Sequence, residues 1–309
     1  MRVLVAGATG ALGAPTVRRL VARGHEVTGL TRSASKRGML ESLGAVPLVA
    51  DVMDPASLRP VVAEAAPEGV IHALTALPRN GPTRARHLVA TNLLRDRGTG
   101  NLLDAATAAG ATRMVAESIV LVYGFGGPET ITEETPVLES SPAPSFQPAL
   151  DALLSLERQV MRSDRIEGIA LRYGLFYGPG NGSTEYAVRM ARRRMLPIPG
   201  DGAEVTPWIH LEDAAEATVL ALERGRPGEA YNVVDDEPVT TEAFITELAR
   251  AARTPKPPHV PWWVIRLVAP FLTSGRGARL NVSNEKARRE LGWTLQYPTY
   301  REGLRTLAS

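Results

Sequence analysis

A glycine-rich turn close to the N-terminus constrains the fold of this chain more than any other feature. Residues 3–6 form a short apolar run, glycines follow at positions 7, 10 and 13, and residues 11–22 have a helical pattern. In that context the glycines permit a tight turn, close approach of a pyrophosphate, and close packing of helix on strand. The turn predicts a dinucleotide at the helix N-terminus, contacted by Gly7, Thr9, Gly10, Ala11, Leu12 and Gly13. A turn with a structural role only is the alternative.

The rest of the chain extends this pattern into an α/β fold. Continuously apolar runs predict buried parallel strands at residues 3–6, 26–30, 45–50, 69–72, 113–117 and 168–173. Helices are predicted at 11–22, 83–110, 149–162, 213–223 and 241–252, with a proline-rich surface loop at 124–148. We therefore expect a Rossmann doubly wound parallel sheet over residues 1–173. Residues 174–309 would form a smaller C-terminal substrate-binding lobe, either separate from the first domain or interleaved with it.

Composition excludes several classes of function. The 35 basic and 33 acidic residues give a net charge of only +2, too small to indicate nucleic acid as a partner. The absence of cysteine removes disulfides, thiolate nucleophiles and iron–sulfur ligation, and no histidine and carboxylate spacing suggests a metal. The longest apolar stretch, residues 260–272, is too short to span a bilayer and contains Arg266. We expect a cytoplasmic protein with no membrane partner and a small-molecule substrate.

The end of the second predicted strand bears on which nicotinamide cofactor binds. An acidic residue there would bond the ribose hydroxyl of NAD, whereas an arginine would accommodate the additional phosphate of NADP. Here the stretch carries Arg32, with Lys36 and Arg37 a turn later and no acidic residue between them. NADP(H) is favoured, and NAD(H) stays open because such charges are also found as solvated helix residues.

At this point the chain resembles the extended short-chain dehydrogenase/reductase superfamily, also called the NAD-dependent epimerase/dehydratase family. The resemblance covers nearly the whole chain and rests on the motifs at residues 7–13, 50–52, 98–106, 122–124, 171–180, 210–215, 231–233 and 291–293. It implies further cofactor contacts from Asp51, Val52, Leu74, Thr75, Ala76, Tyr173, Gly174 and Leu175. Tyr177 and Trp208 are the implied substrate contacts.

The chain departs from that family at the catalytic residues. The family uses a Tyr-x-x-x-Lys pair, helped by a serine or threonine and an asparagine, and this sequence contains no Tyr-x-x-x-Lys. Alignment on Glu157 places Ala149 and Leu153 at the tyrosine and lysine positions. The serine position falls on Ile119 and the asparagine position on Arg95. The resemblance is therefore to the atypical members, in which the cofactor fold is kept and the active site differs.

Some other group would then handle protons near the nicotinamide. Tyr123 is the first candidate because it follows the fifth strand at the edge where open α/β sheets bind ligands. Ser118, Asp151 and His210 are further catalytic candidates. Structural roles compete for each: packing for Tyr123 and His210, and a helix-terminal charge for Asp151.

Three functional interpretations remain open. The first is an NADP(H)-dependent oxidoreductase or epimerase that acts on a small, fairly apolar metabolite. A sugar nucleotide is not the preferred substrate, because Thr206 stands where many relatives carry a phosphate-binding arginine. The second is a non-catalytic NADP(H) sensor or scaffold, and the third a redox-neutral lyase or isomerase. A homodimer through the helices at 83–110 and 149–162 is a further open alternative.

Overall fold

The computed structural model describes residues 1–307 and contains thirteen strands and twelve α-helices in that range. The strands are β1 (Arg2–Ala6), β2 (Glu26–Thr31), β3 (Val46–Val49), β4 (Gly69–His72), β5 (Arg113–Ile119), β6 (Glu167–Tyr173), β7 (Leu175–Tyr177), β8 (Ile198–Pro199), β9 (Val205–Thr206), β10 (Trp208–His210), β11 (Ala230–Val233), β12 (Val239–Thr240) and β13 (His259–Val260). The helices are α1 (Gly13–Ala22), α2 (Arg37–Ser42), α3 (Pro55–Ala65), α4 (Val89–Leu93), α5 (Thr99–Ala108), α6 (Gln147–Met161), α7 (Gly182–Arg192), α8 (Leu211–Arg224), α9 (Thr241–Ala251), α10 (Trp262–Val268), α11 (Glu285–Leu291) and α12 (Tyr300–Arg305).

Seven parallel strands form the main sheet in the order β11-β6-β5-β4-β1-β2-β3. The chain runs outward from β1 to β3 and then returns to the other side of β1 at β4. Parallel sheets of this kind bind ligands outside the carboxyl ends of the strands, at the point where the strand order reverses. The doubly wound α/β prediction is confirmed, and it places a crevice beyond the ends of β1 and β4.

Helices cover both faces of the sheet, which explains the continuously apolar strands. On one face, α1 and α8 pack together over a core that includes Leu20, Val115 and Trp293. On the other face, α3, α5 and α6 bury Leu58, Leu102 and Leu156, among other residues. Burial of such side chains contributes about 1.5–3 kcal/mol each relative to exposure.

The predicted helix at residues 83–110 is interrupted in the structure. It begins as a 3-10 turn at Ala85–Leu88, continues as α4, changes to a π-helical turn at Leu94–Gly98 and resumes as α5. A π-turn inserts extra backbone into an otherwise regular helix, so the apolar spacing alone did not reveal it. The predicted loop at 124–148 extends as far as Phe146, which precedes the first residue of α6, and Ile131 bridges it to Val282.

The chain beyond residue 174 returns to the main sheet. β11 pairs with β6 at its edge, α8 lies on α1, and α11 packs on α8 and β11, while short strands with α7, α9 and α12 form a smaller body around an aromatic cluster. The division at residue 173 stays a prediction, because the later part contributes both to the sheet and to the smaller body. Over residues 1–307, no helix has the length and apolar character needed to cross a membrane.

Candidate functional site

The glycine turn between β1 and α1 forms a cradle that side chains would fill. Gly7 has φ +90°, and a Cβ on it would lie 2.2 Å from the carbonyl oxygen of Ala73. A Cβ on Gly13 would lie 2.1 Å from the carbonyl oxygen of Gly7, and the amide of Gly10 donates to the same oxygen at 2.8 Å. Only glycine is compatible with these approaches, so the turn has the shape that a dinucleotide pyrophosphate requires.

The N-terminus of α1 is open to an anion. In the part of the chain that the structure describes, no side chain caps it, and its first turn contains no acidic residue. Thr9 and Ala11 are partly exposed and Gly10 is exposed, whereas the side chain of Leu12 is buried in the core. The turn therefore presents backbone amides, together with the positive end of the helix dipole, to the crevice. The residues present fit a nicotinamide dinucleotide.

Three exposed cations, Arg32, Lys36 and Arg37, follow β2. The ammonium of Lys36 donates to Thr9 Oγ1 at 3.0 Å, which attaches this basic segment to the glycine turn. Among residues 1–307, neither Arg32 nor Arg37 forms an ion pair. Asp51 is exposed and accepts the amide of Met53 at 2.9 Å.

The predicted cofactor contacts that follow β3, β4 and β6 lie at the same edge of the sheet. After β3, Val52 is buried, and its carbonyl accepts from Asn101 at 2.9 Å. Leu74, Thr75 and Ala76 follow β4, and the amide of Ala76 donates to Thr91 at 3.0 Å. Tyr173 is buried with its hydroxyl 2.7 Å from that of Thr218, and Gly174 and Leu175 continue from it into β7.

The positions that carry tyrosine and lysine in the family are apolar core positions here. Ala149 and Leu153 are buried in a cluster with Val122 and Leu280, and Ile119 packs against this cluster. No phenol or ammonium can therefore reach the sheet edge from these two positions.

The strongest catalytic candidates from the sequence, Tyr123 and Ser118, lie in a buried polar network. Arg172 donates to both carboxylate oxygens of Glu157 at 2.9 and 2.7 Å, and to the hydroxyl of Tyr123 at 2.7 Å. That hydroxyl donates to Asn232 at 2.9 Å, while Ser118 donates to Glu157 at 2.6 Å. Burial raises the pKa of Tyr123. A catalytic role for either residue stays a prediction, because both hydroxyls already have protein partners.

The other two candidates lie apart from the sheet edge. Asp151 is exposed on α6, where it accepts from Gln147 at 2.7 Å, about 200° around the helix from Ala149. His210 caps α8 by accepting the amide of Glu212 at 3.3 Å, and burial lowers its pKa to about 4. At neutral pH His210 is therefore uncharged. Their catalytic roles also stay predictions.

Tyr177 and Trp208, the predicted substrate contacts, belong to an aromatic cluster in the smaller body. Trp208 stacks on Phe244 with ring centroids 3.7 Å apart, and Tyr177 lies edge-on to both rings. Tyr177 is fully buried and donates to Asp235 at 2.9 Å, whereas Trp208 is partly exposed. Of the two, Trp208 retains surface for a ligand.

Sequence reasoning missed a pair of opposite charges at the end of β5. Burial raises the pKa of Glu117 to about 7, against the opposing influence of Arg95. Arg95 lies on the π-turn, is 7% exposed, and occupies the position where the family carries asparagine. Strand alternation could have identified Glu117, because it shares a face of β5 with Ile119, the residue at the serine position.

Metal chemistry has no visible support at this edge. Within the part of the chain that the structure describes, no group of three or more histidine and acidic side chains could hold a metal ion.

Comparison with known proteins decides the family. The sequence model of the NAD-dependent epimerase/dehydratase family matches residues 3–234. The chain belongs to this family. It is 39% identical to a 3-diazoavenalumate denitrifying reductase from a Streptomyces species, over 98% of this chain and 99% of that protein.

Solved structures agree with this fold. The UDP-glucose 4-epimerase of Thermotoga maritima superimposes with a TM-score of 0.82 at 20% identity, over 99% of this chain and 97% of that one. The UDP-glucose 4-epimerase of Thermus thermophilus, solved with NAD, superimposes with a TM-score of 0.77 at 27% identity, over 100% of this chain and 98% of that one.

Membership of the epimerase/dehydratase family confirms the enzyme interpretation at a general level. Relatives along the chain's length are named as reductases, dehydratases and epimerases, and this chain is an NAD(P)-dependent oxidoreductase or epimerase. A nicotinamide cofactor is likewise supported, without a choice between NAD and NADP.

Proposed function

We propose that this enzyme is an NADP(H)-dependent reductase that adds hydride to a diazo group on a small organic substrate and releases dinitrogen. One contrast carries the proposal. The cofactor cradle is intact, but the positions of the family's catalytic tyrosine, lysine and serine are occupied by Ala149, Leu153 and Ile119. The named activity of the Streptomyces relative, a denitrifying reductase of a diazo compound, supports the same chemistry.

The chemistry of the diazo group explains why the tyrosine and lysine can be absent. Hydride transfer to a carbonyl leaves an alkoxide, and the family's tyrosine exists to protonate that oxygen. A diazo group accepts hydride at its terminal nitrogen instead, and the reaction is completed by loss of a neutral gas. The bound nicotinamide would supply the hydride. No acid is then needed at the atom that receives the hydride, and the protein's tasks are to orient the substrate, to exclude water and to protonate another group of the substrate where the reaction requires it.

The residues of this chain have separate tasks in that scheme. Gly7, Gly10 and Gly13 would hold the pyrophosphate against the N-terminus of α1. Arg32, with Lys36 and Arg37 beside it, would bind the additional phosphate of NADP. Trp208 would form part of an apolar wall against the substrate, consistent with Thr206 in place of a phosphate-binding arginine.

The direct test uses the purified protein with NADPH, a hydroxyaryl diazonium salt labelled with a nitrogen isotope, and NADPH carrying deuterium at the transferable position. We expect labelled dinitrogen, oxidised cofactor and the arene product in equal amounts, with deuterium in the product. The matched control substrate carries an acetyl group in place of the diazo group, and it should not be reduced. Faster reduction of the acetyl compound would contradict the proposal.

Conversion without net oxidation of NADPH would instead support a lyase or isomerase. NADH in place of NADPH tests the cofactor choice in the same assay. A homodimer remains a separate proposal, which sedimentation of the purified protein would test.

A further inference from the structure

Glu117 ends the apolar run of β5 at the edge where the family places its reactive groups. Ser118 points toward α6, where it donates to Glu157, so alternation directs Glu117 to the opposite face of the sheet, on which Val115 packs in the core beneath α8. Glu117 is partly exposed, and in residues 1–307 its carboxylate has no hydrogen bond or direct ion pair. An acidic group in this position is free to contact a ligand.

Arg95 is the second unusual group at this edge. Its side chain is almost completely buried, and within residues 1–307 its Nε has no acceptor. A buried N–H without an acceptor is costly, since the group loses its water and gains no compensating bond. Arg95 interacts electrostatically with Glu117 without forming a direct ion pair. The Nε–H of Arg95 therefore remains available to an acceptor from a ligand, and the charge of Arg95 is felt by the Glu117 carboxylate.

The π-turn that carries Arg95 is held by a hydrogen-bond chain. Thr99 donates to the carbonyl of Arg95 at 2.6 Å and lies 3.0 Å from His72 Nε2. Since the threonine proton goes to that carbonyl, His72 must donate through Nε2 and accept the amide of Leu74 through Nδ1 at 3.4 Å. π-turns often occur at functional sites, and this one carries a cation that interacts electrostatically with Glu117 on β5.

We propose that Glu117 is the general acid of this enzyme and that Arg95 binds the anionic oxygen of the substrate. This inference rests on the proposed diazo reductase function. Together the two residues take over what the family's tyrosine and lysine do, from different elements of the fold. The substrate class that fits is a hydroxyaryl diazo compound, whose ring oxygen carries negative charge beside the diazo group.

The proposed reaction balances for the neutral, deprotonated form of such a substrate. A hydride adds to the terminal nitrogen, and the two electrons come from the reduced nicotinamide. Glu117 gives its proton to the ring oxygen that Arg95 holds. The carbon–nitrogen bond then breaks, the hydrogen on nitrogen moves to the ring carbon, and dinitrogen leaves. Solvent returns a proton to Glu117.

Glu117 is the group at this edge whose titration falls near neutral pH. The other charged and titratable groups around it are Arg95 on the π-turn, His72 at the end of β4 and Tyr173 at the end of β6. Burial lowers the pKa of His72 to about 4 and raises that of Tyr173 far above its usual range. Burial holds the pKa of Glu117 near 7, so the acid form is present below that pH and is lost above it.

The first test measures turnover against pH for the wild-type enzyme, Glu117→Gln and Glu117→Asp, with NADPH and the diazonium substrate. We expect wild-type turnover to fall above about pH 7, and Glu117→Gln to lose about 100-fold and this pH dependence. Glu117→Asp should restore part of the rate and the pH dependence. Unchanged turnover and pH profile in Glu117→Gln would overturn the assignment.

The second test needs no turnover. Infrared titration of the cofactor-free protein should show a protonated carboxyl band that disappears in Glu117→Gln but persists in Glu139→Gln, a control on the exposed loop. Calorimetry with a hydroxybenzoate should show binding that weakens about tenfold or more in Arg95→Gln. No band, or equal binding, would refute the site. If these results hold while wild-type enzyme releases no dinitrogen, only the proposed function fails.

Discussion

Replacement of Tyr123 by phenylalanine separates a structural role for this residue from a catalytic one. The change removes one hydroxyl that accepts from Arg172 at 2.7 Å and donates to Asn232 at 2.9 Å. A hydrogen bond to a charged group contributes about 1.5–3 kcal/mol, and a neutral one about 1 kcal/mol. Since Asn232 Nδ2 also has no partner in residues 1–307, the site offers no replacement bond. We expect a loss of about 2–4 kcal/mol in the free energy of unfolding.

Tyr173→Phe is the matched control, because both tyrosines are almost fully buried. Within residues 1–307, the hydroxyl of Tyr173 bonds only that of Thr218, which also donates to the carbonyl of Ala214 at 2.7 Å. Its removal should cost about 0.5–1.5 kcal/mol. Denaturant unfolding of both variants without cofactor gives the comparison, since bound ligand would shift apparent stability. An equal or smaller loss in Tyr123→Phe would refute the reasoning.

Activity of the same variant tests the chemical role. If Glu117 is the acid, Tyr123→Phe should keep turnover within about threefold of wild type at a temperature well below unfolding. A loss of about 100-fold without a matching loss of stability would make Tyr123 the proton donor.

Three further predictions concern the cofactor, the core and pH. Arg32→Asp should weaken NADPH binding about tenfold or more relative to NADH by calorimetry, whereas equal losses would contradict an NADP role. Leu153→Lys should cost about 3–5 kcal/mol in denaturant unfolding because it buries an unpaired charge, while Leu153→Met should cost less than about 1.5 kcal/mol. The folded-state pKa of His210 is about 4, below its unfolded value of 6.5, so stability present above pH 6.5 falls as pH drops toward 4. Asparagine in His210→Asn can still cap α8. Between pH 8 and pH 5, the free energy of unfolding of this variant should fall by about 2 kcal/mol less than that of the wild type, and an identical dependence of stability on pH would contradict this.

Features set by neighbouring residues could be predicted from the sequence. The glycine turn, the buried strands and the parallel order follow from local spacing and from the rules for connecting parallel strands. The position of β11 beside β6 could not, because it depends on which edge of the sheet a distant segment returns to. The π-turn was also hidden, since the apolar period continues on both sides of it.

In the site, the sequence predicts where a residue lies along the chain but not which side chain it contacts. Tyr123 and Ser118 are candidates because of their positions at the end of β5 or just after it. Their hydroxyls instead join the Glu157 and Arg172 pair, and no sequence pattern specifies that contact. The electrostatic interaction between Arg95 and Glu117 likewise could not be predicted, because Arg95 lies on a π-turn that the apolar spacing does not reveal.

The replacement of the catalytic tyrosine and lysine also affects packing. Ala149 and Leu153 help to fill the apolar cluster under the loop that ends at Phe146, and Leu153 is fully buried. A lysine there would either keep its charge inside an apolar cluster, at a large cost in stability, or lose its proton and with it the cation that assists a tyrosine. The family's usual chemistry therefore cannot be restored by one substitution. A proton donor for this enzyme has to come from another element, and Glu117 on β5 is the acidic group that the fold leaves without a hydrogen bond or ion pair at this edge of residues 1–307.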